Sequence, residues 1–384
     1  LISPKMSSEK KGVNAAEQTL EFVQDLVVRP LLNHFSTWEC KPVERIVSTQ
    51  NASLCYSRLF KLFSSRNQHN DSYQEYVYNQ EKQVIDSFYR KMASSYRKGG
   101  MKNNVLDVLC CKWEEMEYIS QVISFILSYM NRNYASRTEK TQIGTVIKDS
   151  FVKCVFLLLK DDVISTLRNQ INHYRFHPES DIAPTVSKAV TILYECDNEE
   201  ELKVAAEFEK LVTSDAYHFY CHKTINKASM QSVLTDIDSS CSVEKQICDK
   251  FAIHNIESTL QDTVITCLLK NELKGILVRY MPSLYPDDLD SLKRILYYAK
   301  HMNGLDVLAE QFKLVLTASG MNLFNKYKEK IARSKKPKRV NWDFVKELPT
   351  LPTKPLSRSK RNWKPRPSCS NLCIPRSAPS RITA

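Results

Sequence analysis

The 384-residue sequence has little glycine and no long apolar run, and each shortage excludes a class of protein. Seven glycines are too few for a β-sandwich rich in glycine turns, so the composition favours helices. The densest apolar run, Val155 to Leu159, is far shorter than the roughly 20 residues that span a bilayer. No signal-peptide pattern opens the sequence. We therefore expect an intracellular protein, in the cytoplasm, the nucleus or both.

The patterns of common catalytic and metal sites are also missing. The sequence contains no Gly-rich phosphate loop, no G-x-S-x-G, no H-E-x-x-H and no repeated C-x-x-C. Several of the 12 cysteines lie inside apolar helical patterns, namely Cys110, Cys111, Cys154 and Cys267. Such positions are typical of buried thiols in a reducing compartment. His218, Cys221 and His222 fall within one helical turn, but zinc needs a fourth ligand that the neighbouring sequence does not supply. We predict no catalytic residues, no metal and no cofactor.

Charge is unevenly distributed along the chain. The formal net charge is +12, but residues 321–384 alone carry 17 Lys and Arg against 3 Asp and Glu, which leaves a balance of −2 for the first 320 residues. Residues 321–384 also hold 8 of the 15 prolines. This composition buries too little apolar surface to order itself, so we predict a disordered basic tail.

The basic tail has three interpretations. A dense cluster of positive residues could serve as a nuclear-localisation signal: Arg333, Lys335, Lys336, Lys338 and Arg339. Alternatively, the tail could bind nucleic acid, with Trp342 and Trp363 stacking on bases, or it could anchor the chain on an acidic protein surface. The remaining interpretation is that its basicity has no function.

The longest amphipathic pattern runs from Trp113 to Tyr134. Its apolar residues recur at steps of three and four: Trp113, Met116, Ile119, Ile123, Ile126, Leu127, Met130 and Tyr134. This spacing predicts one broad helical face. Val122, Phe125 and Tyr129 widen the stripe until little of the circumference is polar, which indicates a helix packed on two sides.

Similar helical patterns fill most of the chain, and no long alternating segment indicates a strand. They predict an all-α array in three successive sets, over 14–140, 141–242 and 243–320, the last of which is shorter. A polar segment, 1–13, precedes the array and is predicted to be disordered, and the basic tail, 321–384, follows it.

Several landmarks in this array resemble the N-terminal repeats of the cullin family. Tyr129-Met130-Asn131-Arg132-Asn133-Tyr134 is similar to the run that ends the long fifth helix of the first cullin repeat, and Trp113 lies where cullins have the tryptophan that opens that helix. Other landmarks follow in the same order between Glu17 and Gly320: Cys55 to Phe60, Phe208-Glu209 with Phe219-Tyr220, and Asn303-Gly304-Leu305 with Gly320. The resemblance implies an elongated stalk of three stacked five-helix repeats.

The resemblance also implies a function and a site. Cullins are non-catalytic scaffolds of cullin-RING E3 ubiquitin ligases, and their first repeat docks a BTB/POZ-fold adaptor, such as a Skp-type protein, elongin C or a BTB-domain protein. The implied docking residues in this chain are Ser53, Tyr56, Arg58, Phe60, Tyr129 and Tyr134. The simpler interpretation of Tyr56 and Phe60 is that they fill the core between helices.

The resemblance stops at Gly320. The C-terminal region that binds the RING subunit in cullins has no counterpart after that residue, so we expect no direct RING contact. The chain would then be a truncated scaffold that acts as a decoy or as part of a split ligase in ubiquitin-dependent degradation. The alternative is a helical-repeat tethering or trafficking protein, or another interaction module unrelated to ubiquitin.

Overall fold

The computed structural model describes residues 15–40, 43, 46–64, 70–96, 104–197, 202–226, 228–270, 272–284 and 288–333. No residue in these ranges lies in a β-strand, so the predicted all-α fold is confirmed. Within the same ranges, no helix combines the length and the apolarity that crossing a membrane requires. The predicted disordered segment at 1–13 and residues 334–384 of the basic tail lie outside the described residues.

The helices, in chain order, are α1 (15–34), α2 (Thr49–Ser64), α3 (Asn70–Ser94), α4 (105–135), α5 (143–176), α6 (Pro184–Glu195), α7 (Val204–Cys221), α8 (Met230–Phe251), α9 (Glu257–Leu269), α10 (Leu273–Leu284), α11 (Leu289–His301) and α12 (Leu305–Arg333). Three of them contain a π-helical turn, at Gln24–Val28 in α1, Asn131–Ala135 in α4 and Val152–Phe156 in α5. The turn in α1 ends two residues before Pro30, whose nitrogen cannot donate a helical hydrogen bond.

Helix α4 is the predicted central helix, and it begins earlier than its apolar stripe indicates. The side chain of Asn104 caps it by accepting a hydrogen bond from the Leu106 nitrogen at 3.1 Å. It continues from Val105 through a single turn residue, Leu127, to the π turn. The predicted stripe is buried. As expected for a helix packed on two sides, α4 contacts α2 on one side and α5 and α6 on the other.

An aromatic contact joins the first set of helices to the second. The Trp113 ring of α4 lies 5.7 Å from the Phe151 ring of α5, and the Tyr89 ring of α3 lies 5.8 Å from the same phenylalanine. All three side chains are buried. Edge-to-face ring pairs of this kind stabilise a packed interface beyond the area they bury.

A buried ion pair joins the second set to the third. Arg175 of α5 donates two hydrogen bonds to Glu244 of α8, at 2.8 and 3.1 Å, and both side chains are fully buried. The guanidinium also donates to the Asn172 side chain at 2.7 Å and to the Val212 carbonyl of α7 at 3.3 Å. One side chain therefore fixes three helices relative to one another.

Two of the predicted boundaries fall within continuous helices. The boundary at 242/243 lies inside α8, and the boundary at 320/321 lies inside α12, which runs through Gly320 to Arg333. Residues 321–333 are therefore helical, which corrects the predicted start of the disordered tail. Apart from the backbone of α12 itself, no heavy atom lies within 4 Å of the position that a Cβ of Gly320 would occupy, so this glycine marks neither a turn nor a close approach. The predicted boundary at 140/141 lies in the connection between α4 and α5.

Candidate functional site

Helices α2 and α4 run parallel and expose a row of aromatic rings along their shared groove. The Tyr56 ring lies 5.9 Å from the Phe125 ring, and the Phe60 ring lies 5.1 Å from the Tyr129 ring. The two rings on α2 also stack on each other, with their centroids 6.0 Å apart. Phe60 is 41% exposed and Phe125 is 48% exposed, whereas the two tyrosines are half-buried. We call Tyr56, Phe60, Phe125 and Tyr129 the aromatic patch.

The spacing of apolar residues in α2 explains why its aromatic rings reach the surface. The buried stripe of this helix is Ala52, Cys55, Leu59 and Phe63. Tyr56 and Phe60 each follow a residue of that stripe, so at roughly 100° per residue they lie at its edge toward α4. The residues of that stripe already fill the core beneath these two rings. Burial in this core raises the pKa of the Cys55 thiol to about 11.

Charged and polar residues lie at the two ends of the aromatic patch. Because α2 and α4 are parallel, their C-terminal ends adjoin, and Lys61 and Arg132 are exposed there. At the opposite end, Ser53 is exposed on α2. The surface is thus apolar at its centre, positive at one end and polar at the other.

Comparison with known proteins identifies the family. The sequence model of the cullin alpha solenoid domain matches residues 40–352, which is most of the chain. The chain belongs to the cullin family. A comparison with curated proteins finds no match. The match extends past Gly320, so the resemblance does not stop at that residue. Cullins are scaffolds of ubiquitin ligases and are generally non-catalytic, and this chain is a cullin-like scaffold.

Four of the six docking residues implied by the family resemblance lie together on this cullin's α2–α4 face, namely Ser53, Tyr56, Phe60 and Tyr129. Arg58 lies on the opposite flank of α2, because two residues correspond to about 200° around a helix. Its guanidinium carbon is 3.6 Å from the centroid of the Phe22 ring of α1. Arg58 therefore packs on α1 and is not at the edge of the aromatic patch.

Tyr134 is buried and does not belong to the α2–α4 surface. Its side chain is 3% exposed and packs near the Tyr78 ring at 6.2 Å. Its hydroxyl accepts a hydrogen bond from the Lys140 ammonium at 2.6 Å, which raises the pKa of that lysine. The implied assignment of Tyr134 to an exposed docking surface is therefore wrong for this cullin.

Phe125 was absent from the implied docking residues, although it is the most exposed ring of the aromatic patch. The sequence carries a signal for it. Phe125 lies four residues before Tyr129, on the side of α4 opposite its buried stripe. A large aromatic residue in that position either packs on a neighbouring element or faces a partner.

The candidate metal ligands do not assemble into a site. The Nδ1 atom of His222 lies 2.8 Å from the carbonyl oxygen of His218. In the part of the cullin that the structure describes, no group of three or more His, Cys, Asp or Glu side chains suits a metal ion. Burial is the main cause of a raised pKa at Cys110, at about 11, and at Cys196, at about 12, so these thiols are poor nucleophiles.

The structure describes one residue of the basic cluster in the tail. Arg333 is the last residue of α12, is exposed, and lies 3.5 Å from the Glu329 carboxylate. Its companions Lys335, Lys336, Lys338 and Arg339 lie outside the described residues, as do Trp342 and Trp363.

Proposed function

We propose that this cullin binds a BTB/POZ-fold adaptor through the aromatic patch and thereby acts as a scaffold in ubiquitin-dependent protein degradation. The observation that supports the proposal is the pair of rings, Phe60 and Phe125, that remain about half exposed beside a completed core. Aromatic side chains dominate the energetics of protein interfaces. The adaptor could be a Skp-type protein, elongin C or a BTB-domain protein.

The aromatic patch and the residues at its ends indicate which groups a partner must supply. Apolar side chains must cover the four rings, and acidic groups would complement Lys61 and Arg132 at the C-terminal end. Rim charges of this kind change the association rate and its salt dependence more than the affinity. We therefore expect adaptor association to slow as salt rises, while the apolar centre sets the lifetime of the complex.

Direct titration of the full chain tests the proposal. A purified Skp-type protein, elongin C and a BTB-domain protein would each be titrated by calorimetry against the natural chain and the Phe60→Ala, Phe125→Ala double variant. We expect one adaptor to bind and the double variant to raise its Kd by at least about 30-fold, because truncating a central anchor typically costs 2 kcal/mol or more.

Arg58→Ala is the matched control for this titration. Arg58 is on the same helix and is exposed, but it faces α1. Its truncation should leave the Kd within a factor of about two. If no adaptor binds, or if Arg58→Ala weakens binding as much as the double variant, the aromatic patch is not the docking surface. Circular dichroism would confirm that all variants remain helical.

Affinity capture from the source cells distinguishes the two scaffold roles. A RING-domain protein that is captured together with the adaptor would support a part in an active or split ligase. An adaptor captured repeatedly without any RING-domain protein would support a decoy that sequesters adaptors.

We further propose that the chain occupies the cytoplasm and enters the nucleus through its basic cluster. Replacing Arg333, Lys335, Lys336, Lys338 and Arg339 with alanine in a fluorescently tagged full chain should reduce its nuclear fraction. A distribution unchanged by the replacement would contradict nuclear import through this cluster. Nucleic-acid binding by the same cluster would instead appear as steeply salt-dependent binding to a duplex oligonucleotide.

A further inference from the structure

Two thiols face each other where α7 ends against α9. Cys221 is the last residue of α7, and its sulfur lies 3.4 Å from the sulfur of Cys267 in α9. The Cys267 sulfur also lies 3.7 Å from the carbonyl oxygen of Tyr217, one helical turn before Cys221. Cys221 is exposed and Cys267 is half-buried. The two helices pack closely along their lengths.

We propose that Cys221 and Cys267 form an oxidisable dithiol that closes to a disulfide between α7 and α9. A disulfide has a sulfur–sulfur distance of about 2.05 Å, so the two sulfurs need to approach by little more than 1 Å. Small changes in the two side-chain torsions supply that movement, because the helices that carry them are already in contact. This site is separate from the aromatic patch, which lies on α2 and α4.

Exposure distinguishes this pair from the buried thiols of the chain. Cys55, Cys110, Cys196 and Cys248 are buried, so an oxidant in solution does not reach them while the protein is folded. The exposed sulfur of Cys221 is reached directly. A second sulfur in van der Waals contact then gives the oxidised cysteine an immediate partner, as in thiol pairs that resolve a sulfenic acid.

The oxidant would be a peroxide. The Cys221 thiolate attacks one peroxide oxygen, the O–O bond breaks, and a sulfenic acid forms with release of water after proton transfer. The Cys267 sulfur then attacks the Cys221 sulfur, the S–S bond forms, the S–O bond breaks, and a second water leaves with the Cys267 proton. The two thiols lose two electrons and the peroxide gains two.

The second step should accelerate as pH rises. Burial is the main cause that raises the pKa of Cys267, to about 12, while the charge of Lys270 acts in the opposite direction. Its thiolate is therefore scarce at neutral pH, and each unit of pH increases its fraction about tenfold. Under this mechanism the sulfenic acid of Cys221 is resolved more quickly at pH 9 than at pH 7.

Closing the bridge should stabilise the middle of the array. The two cysteines are 46 positions apart, and a cross-link across such a loop restricts the unfolded chain considerably. We expect the Tm of the oxidised chain to exceed that of the reduced chain by about 5 °C.

Peptide mapping of the full chain tests the proposal. The purified protein would be treated with a small excess of hydrogen peroxide at pH 8, alkylated and digested with trypsin without reduction. Cleavage after lysine places Cys221 in the peptide 211–223 and Cys267 in the peptide 251–270, and each peptide contains a single cysteine. We expect these two peptides to appear as one linked species that disappears on reduction.

Two variants serve as controls. Cys221→Ser should abolish the linked species and the gain in Tm, whereas Cys248→Ser, at a buried position of α8, should leave both unchanged. If the peptide 251–270 remains fully alkylated while Cys221 is converted to sulfinic acid, the two sulfurs do not react with each other and the proposal is wrong. Linkage of Cys221 mainly to another chain would overturn it equally.

Discussion

A buried carboxyl group in the first set of helices gives this protein a specific pH dependence. Glu81 of α3 is fully buried, and neither of its carboxylate oxygens has a hydrogen bond of ordinary geometry. Burial is the main cause that raises its pKa from 4.5 to about 7, and the nearby Gln24 side chain only partly opposes the shift. The folded chain therefore binds this proton more tightly than the unfolded chain does.

The sign and size of the effect follow from that difference. Below about pH 4.5 both states are protonated and Glu81 imposes no charge penalty. As pH rises from 4.5 to 7 the folded state loses stability, and above pH 7 the loss is constant. The pKa difference corresponds to about 3 kcal/mol at 1.36 kcal/mol per unit. Between pH 5 and pH 8 the change in the free energy of unfolding is about 2.5 kcal/mol.

Glu81→Gln should remove this dependence while keeping the size of the side chain. We expect the variant to gain about 2.5 kcal/mol relative to the natural chain between pH 5 and pH 8. A cost of burying the amide would affect both pH values equally. Comparing the two pH values therefore isolates the ionisation.

Urea unfolding followed by tryptophan fluorescence is the measurement. Trp38 and Trp113 lie in the same set of helices as Glu81, and replacing Trp342 and Trp363 with phenylalanine would confine the signal to that set. Glu21→Gln, at an exposed position of α1, is the control and should show no such gain. A Glu81→Gln gain that is the same at pH 5 and pH 8 would refute the argument.

Three further predictions concern packing between helices. Arg175→Met leaves the Glu244 carboxylate buried without its partner, so urea unfolding should show a loss of about 3 to 5 kcal/mol. Gly304→Ala places a Cβ 2.8 Å from a methyl group of buried Leu273, and the Tm should fall in line with a cost of about 1 to 3 kcal/mol. The new Cβ of Gly320→Ala meets no atom within 4 Å other than the backbone of α12 itself, so the variant should gain up to about 1 kcal/mol of stability and its Tm should rise. A fall in Tm for Gly320→Ala, or none for Gly304→Ala, would contradict these packing arguments.

Periodicity in the sequence predicted the interior of this protein well. The stripe on α4 is buried as its spacing indicates, from Trp113 to Met130. Asp288 caps α11 by accepting a hydrogen bond from the Ser291 nitrogen at 3.0 Å, and an aspartate directly before an amphipathic segment is a common helix cap. Such features depend on residues within a few turns of one another, which a single sequence records directly.

The docking residues were predicted less well where family resemblance replaced periodicity. Tyr134 continues the buried stripe, since it follows buried Met130 by four residues, and its spacing alone indicates an interior position. Arg58 likewise lies too far around α2 from Tyr56 to share a surface with it. Phe125 carried the opposite signal, an aromatic residue outside the stripe, and the resemblance did not include it.

Helix boundaries and long-range pairs could not be predicted from the sequence because they depend on how the helices pack. The glycine at position 320 is a common helix terminator, yet α12 continues because nothing crowds or caps it there. Arg175 and Glu244 are 69 positions apart, and no local pattern connects them. Their pairing depends on how α5 and α8 pack, which only the assembled array determines.

The order of contacts along the array determines how substitutions will combine. Within the described residues, helices make extensive contacts mainly with near neighbours in the chain, from α1 and α2 at one end to α11 and α12 at the other. A mutational scan should therefore divide the variants into two classes. Variants in α10 to α12 would lower the abundance of the protein while leaving the adaptor affinity of each folded molecule intact. Variants around the groove of α2 and α4 would change the adaptor affinity itself.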